Sequence, residues 1–206
     1  MGFGFTTNPT SFRAVATDLE TGEAAVLAQG DLASALRASL SAPGVFAPAE
    51  RDGRLLVDGG ITDNLPIQIA RRMGVDVLVV VDVGFPLTSR DRLGSVAGVS
   101  NQMLVILIRR DSQRQRQTLG EKDVVIDPDM GTLSSFDFSR LPRAISYGET
   151  AARGVAGQLA ALSVSDAEYS QYLAARQGRL APAGGEIRFV RTDEASQAFS
   201  EPVEVL

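Results

Sequence analysis

Apolar and polar positions alternate over residues 12–19 (FRAVATDL), the two-residue period of a half-buried strand. Residues 20–23 (ETGE) break the alternation as a turn, and residues 24–28 return as a second strand, so a hairpin is expected. Asp31 is placed to cap a helix from Leu32 to about Leu40, which Pro43 stops. A second hairpin follows. Residues 48–51 and 54–58 flank Asp52-Gly53, the dipeptide favoured in a two-residue turn. Residues 59–63 read as loop. Asn64 reads as the cap of a helix that has Pro66 in its first turn and ends at Gly74.

The pattern then changes to nearly continuous β-branched residues. Residues 75–83 (VDVLVVVDV) read as a central parallel strand buried on both faces. A long helix is predicted from Val96 to about Leu119, apolar up to Ile108 and rich in Arg and Gln beyond it. Residues 123–127 (DVVID) read as another buried strand, and residues 128–140 as a long loop. Helices are predicted over 142–162 and over 166–177, the latter capped by Ser165. Strands alternating with helices argue an α/β fold, with a mostly parallel sheet covered by helices on both faces. A boundary is placed near residues 180–185 (LAPAGG), giving one domain over 1–180 and a linker with extension over 181–206.

Composition narrows the chemistry. The chain has 206 residues, a net charge of −5, no Cys and no His. Zinc sites of Cys/His type and a Ser-His-Asp triad are therefore excluded from this sequence. No basic stripe points to nucleic acid, and no apolar run is long enough to span a bilayer. Neither a cofactor nor a metal is expected, although Asp58, Asp63 and Asp82 form a weaker candidate set for a carboxylate metal site.

Asp58-Gly59-Gly60 is the leading candidate for chemistry. An acid closes a short apolar strand, next to two residues that let backbone approach closely. Asp82 ends a second strand, though capping is its plainer role. Asp18 and Asp63 read as turn and capping residues, and Ser39 and Ser41 as helix-end packing and backbone hydrogen bonding. Arg109, Arg110 and Arg116 read as a solvated helix end whose basic face could meet lipid headgroups.

Several of these pieces occur in a fixed order. The segment Ala38-Ser39-Leu40-Ser41-Ala42-Pro43-Gly44-Val45-Phe46-Ala47-Pro48 precedes the hairpin, then come Asp58-Gly59-Gly60 and Asn64-Leu65-Pro66. In this order and spacing the chain resembles the patatin-like phospholipases, chiefly the bacterial members, over roughly residues 12–162. The resemblance implies a three-layer α/β fold and a lipid acyl hydrolase with a Ser-Asp dyad. By position Asp58 would be the dyad acid, with Gly59 and Gly60 as motif support. It implies a phospholipid or fatty acyl ester as substrate, contact with a membrane surface, and no need for His.

The family's Gly-rich oxyanion loop and G-x-S-x-G elbow precede the acid, and neither occurs in this sequence. No nucleophile is therefore assigned, and the N-terminal portion of the fold is expected to be missing. The chain would be a part made or cleaved without that portion, a truncated product, or a relative that binds lipid or a partner chain without catalysing. Exposed apolar sheet surface is expected, with association to the missing part or self-association. Residues 186–192 (EIRFVRT) resemble the start of a POTRA-like module, which in one bacterial branch links a patatin-like passenger to an outer-membrane barrel. Location stays open between the cytoplasm and, if that extension is POTRA-like, the outer membrane or cell surface.

Overall fold

The structure, a computed structural model, describes residue 5 and residues 10–84, 86–131, 133 and 138–177. The expected boundary, linker and POTRA-like extension lie outside the described residues. The chain forms two compact units, one of residues 1–59 and 166–206, the other of residues 60–165.

The first unit is built on two hairpins. Strands β1 (Ala14–Asp18) and β2 (Ala24–Leu27) pair antiparallel, with Thr17 opposite Ala24. Strands β3 (Ala49–Arg51) and β4 (Arg54–Asp58) pair antiparallel around Asp52 and Gly53, at φ 51° and 72°. Positive φ at both positions is what a type I′ turn requires, which explains the Asp-Gly dipeptide. β1 also pairs antiparallel with β4, with Ala16 opposite Asp58, giving the order β2-β1-β4-β3.

Helix α1 (Leu32–Ser39) packs on β1, β3 and β4. Its cap is Asp31, whose carboxylate accepts the Ser34 N–H at 2.7 Å. Ala35 and Ala38 turn onto the sheet and meet Ala14, Ala16, Ala25, Leu27 and Leu56. Alanines on both sides let the helix backbone lie close to the strands. Leu56 is the large side chain of this core, 1% exposed, and its burial stabilises by roughly 1.5–3 kcal/mol. Phe5 stacks on Phe12 at 5.9 Å and both pack against the same cluster. Helix α7 (Asp166–Gln177) belongs to this unit and has no buried residue.

The second unit holds α2 (Gly60–Asp63), α3 (Ile67–Arg72), β5 (Val79–Val81), α4 (Val96–Arg116), β6 (Val124–Ile126), α5 (Pro142–Gly154) and α6 (Ala156–Ala160). β5 and β6 are parallel, with Val80 opposite Val125. Leu65, Ile67, Leu78 and Val80 make the core, with Ala70 and Leu119 packed against it.

Several expectations are corrected here. A single mostly parallel sheet is not seen among the described residues: they form a four-stranded antiparallel sheet and a separate parallel pair. Short turns force β1 and β2, and β3 and β4, to reverse, whereas β5 and β6 are joined by a helical crossover; β1 and β4 are antiparallel across a long connection that includes α1. Residues 75–83 are not buried on both faces. Only 79–81 form a strand, and Val79 and Val81 are 50% and 49% exposed while Val80 is 8% exposed. Residues 60–63 are a helical turn, not loop. Asn64 does not cap α3, whose N-cap position is Pro66. The helix predicted over 142–162 breaks at Val155, directly after Gly154.

Asp123 ties the parallel pair together. Its side chain is 1% exposed and accepts the Leu78 N–H at 2.9 Å, the Gly120 N–H at 2.7 Å and a guanidinium hydrogen of Arg71. Burial alone would raise this carboxyl. The two backbone N–H bonds and the Arg71 charge outweigh it and hold the group below the usual carboxylate range. Its stabilising contribution is therefore present above the ordinary Asp range and lost as pH falls through the lowered value. Asp123→Ala leaves two N–H groups without acceptors, and urea unfolding at pH 7 is expected to show a loss of about 2–3 kcal/mol.

Candidate active site

β4 delivers Asp58 to the edge of the region where α1 ends. The first-unit main chain around it is held on every side. The Asp58 N–H donates to the Ser41 carbonyl at 3.0 Å, and the Gly59 N–H donates to the Ser39 carbonyl at 3.3 Å. The Asp58 carbonyl accepts the Thr17 hydroxyl at 2.8 Å. The Ser39 hydroxyl donates to the Val15 carbonyl at 2.7 Å. Ser41 is fully buried, and its hydroxyl donates to the Arg37 carbonyl at 2.7 Å while accepting from the Arg37 guanidinium. Arg37 also donates to the Ala47 carbonyl at 2.9 Å and lies over the Phe46 ring at 5.5 Å.

Gly59 has no room for a side chain. A Cβ there would lie 2.1 Å from the Val15 carbonyl oxygen and 2.6 Å from its carbon. The glycine is thus required by close backbone approach to β1. The small-residue segment over 38–48 acts as a cradle for the acid. Its two serines contribute carbonyls to the Asp58 and Gly59 N–H groups, and their hydroxyls are donors to main-chain carbonyls. The backbone hydrogen bonding expected of Ser39 and Ser41 is present in their hydroxyls, whereas the role of their own carbonyls was not read from the sequence. The available signal was the fixed spacing between that segment and the acid motif.

Gly60 is buried and opens α2 in the second unit. There the Asp63 carboxylate accepts the Gln115 amide at 3.2 Å, and the Asn64 amide donates to the Ser112 hydroxyl at 3.2 Å. That bond to α4 is where the Asn64 side chain goes instead of capping α3. Burial, then the charge of Asp111, raise the Asp63 carboxyl to about 6, with Arg72 pulling the other way.

Asp18 caps its own turn, accepting the Glu20 and Thr21 N–H groups at 3.0 and 3.3 Å. Asp82 stands at the carboxyl end of β5 and pairs with Arg116 at 3.1 Å, and the same guanidinium pairs with Asp127 at 2.9 Å. The hydrogen bond to Asp127 is the main reason that Arg116 holds its proton even more firmly than usual. These groups line an open cleft of about 500 Å³ with Arg109, Ser112 and Asp129. Arg116 is thus an ion-pair hub of the second unit, not a purely solvated helix end. Among the described residues no group of three acids is gathered to hold a metal ion, and no helix is long and apolar enough to cross a membrane.

Comparison with known proteins places the same region. The family model for patatin-like phospholipase matches residues 3–71. An uncharacterized NTE family protein of Mycobacterium tuberculosis is 45% identical over 75 residues, covering 36% of this chain and 21% of the relative. A second such protein from the same organism is 27% identical over 166 residues, covering 70% of this chain and 28% of the relative. Patatin-like phospholipase domain-containing protein 7 of mouse is 41% identical over 73 residues, which are 34% of this chain and 5% of that protein. Over residues 3–71, about a third of its length, the chain is similar to the patatin-like phospholipases. It spans about a fifth of the length of the mycobacterial relatives first matched.

Proposed function

We propose that this chain carries the acid side of a serine lipid acyl hydrolase. Asp58 is the base of a Ser-Asp dyad, and the serine comes from sequence other than these 206 residues. The observation that carries the reading is the cradle of Ser39 and Ser41 carbonyls around the Asp58-Gly59 main chain. It fixes an acid at a strand end with its backbone fully engaged, the preorganisation that a base needs. In the reaction the serine oxygen attacks the ester carbonyl of a phospholipid or fatty acyl ester, and Asp58 takes its proton. The alcohol leaves with a proton, and water then releases the acyl group from the serine.

A second reading is a non-catalytic relative that binds lipid or a partner chain. It is favoured by apolar surface on the second unit. Val79 and Val81 of β5 are half-exposed, and Val96 and Met103 of α4 are 85% and 60% exposed. Contact with a membrane surface, with a nucleophile-bearing segment, or with another copy would each cover such surface.

One assay separates the two readings. The chain alone is expected to hydrolyse short acyl esters and phospholipid vesicles only at background rate, and to take no label from a serine-directed fluorophosphonate. Joined to a patatin-like segment that carries G-x-S-x-G, it is expected to turn over ester. Association with that segment without turnover would reject the acid role in favour of the binding reading.

A further inference from the structure

The contact between α2 and α4 in the second unit is short of hydrogen-bond donors. Asp111 and Gln115 lie one turn apart on α4, hence on one face of it. The Gln115 amide nitrogen reaches Asp63 at the end of α2, which brings three oxygen-bearing side chains to one place. Asp111 is 9% exposed, and one of its oxygens takes a hydrogen from Arg114 at 2.7 Å. Its other oxygen, Oδ2, is buried without a hydrogen-bond partner among the described residues, and so is Oε1 of Gln115. A buried acceptor with no donor costs about 1–3 kcal/mol, so the cluster has a specific deficit. The Asn64 amide donates to Ser112, and neither of these oxygens receives a bond from it.

We propose that Asp63 holds a proton toward the unpartnered acceptors of α4, and that this proton closes a clasp between α2 and α4. A neutral Asp63 offers an O–H where two buried acceptors lack a donor, and it removes one of two neighbouring negative charges. The proton comes from solvent, and no other group need change its charge. The charged groups that bear on Asp63 are Asp111 from α4, with Arg114 paired to it, and Arg72 from α3. The raised carboxyl of Asp63, near 6, agrees with this arrangement.

The sign follows from linkage. The folded carboxyl binds its proton more tightly than the unfolded one. The clasp is therefore complete below the ordinary Asp range and is lost as pH rises through about 6. α2 is the element into which the Asp58-Gly59-Gly60 motif runs. The proposal concerns the second unit alone, however, and does not depend on the proposed catalytic role.

The test uses the whole chain and two readouts. Carboxyl ¹³C NMR is expected to show Asp63 titrating near 6, and nearer the ordinary value of about 4 in Asp111→Asn. Hydrogen exchange over residues 62–65, corrected for intrinsic rates, is expected to slow about tenfold between pH 7.5 and pH 5. Asp63→Asn should remove that dependence. An Asp63 midpoint near 4 in the unmodified chain, or one unmoved by Asp111→Asn, would overturn the proposal. So would slowed exchange at pH 7.5 on adding millimolar Ca²⁺, because a cation would then be the missing partner. The unmodified chain alone decides the first point, so a variant that fails to fold does not protect the idea.

Discussion

Asp58→Asn, in an assembly that supplies the serine, is expected to lower ester turnover by about 10²- to 10⁴-fold, the range of general-base catalysis. The substitution is nearly isosteric. Two of the bonds that seat residue 58 run from its main-chain N–H and C=O, toward Ser41 and Thr17, and an Asn keeps both. Urea unfolding should therefore move by no more than about 1 kcal/mol. A large loss of activity with little loss of stability is the signature of a base. Equal turnover by the parent and the Asp58→Asn variant would remove the residue from the chemistry. Equal losses of turnover and stability would make it a structural acid.

Gly59→Ala is expected to behave in the opposite way. The new methyl would start 2.1 Å from the Val15 carbonyl oxygen, well inside any tolerable contact. The obstacle is backbone in the middle of β1, so no side-chain rotation relieves it. Either β1 moves away from β4, or the Gly59 segment leaves its cradle. Overpacked cores lose about 1–3 kcal/mol, and a clash with a fixed strand is expected at or above the top of that range. Circular dichroism with urea titration would measure it, and an unfolding midpoint equal to that of the parent would show the approach to be looser than described. Because the Gly59 N–H bond to Ser39 would be disturbed too, activity of an assembled enzyme should fall together with stability.

The local parts of this fold could be read from the chain, and the reasons are specific. Asp52-Gly53 announces its hairpin because only certain residues accept positive φ at both turn positions. Asp31 announces α1 because its side chain replaces a missing acceptor at the helix start. Pairing direction was not readable in the same way. β1 is buried at all five positions although its neighbours are antiparallel, so continuous burial does not imply a parallel sheet. The run at 75–83 shows the converse, since its β-branched residues reach solvent on one face. Asn64 has the chemistry of a cap, but a partner 48 residues away on α4 takes its amide. Of the site, the acid motif stood out through its order relative to the segment at 38–48. The carbonyl cradle did not, because main-chain acceptors leave no mark on side-chain identity.

The pairing of β1 with β4 also bears on how the site comes into being. Within the first sheet, the other two pairings close short turns and can form within microseconds of collapse. β1 meets β4 only after a stretch of about 40 residues is looped back, so the entropy of closure falls on this step. The Thr17 bond to Asp58 and the tight passage of Gly59 past Val15 both lie on that seam. The two hairpins are therefore expected to be early and independent, and the acid to acquire its setting last. Substitutions along the seam should slow folding if the closure is the committing event, whereas those in the turns should mainly speed unfolding.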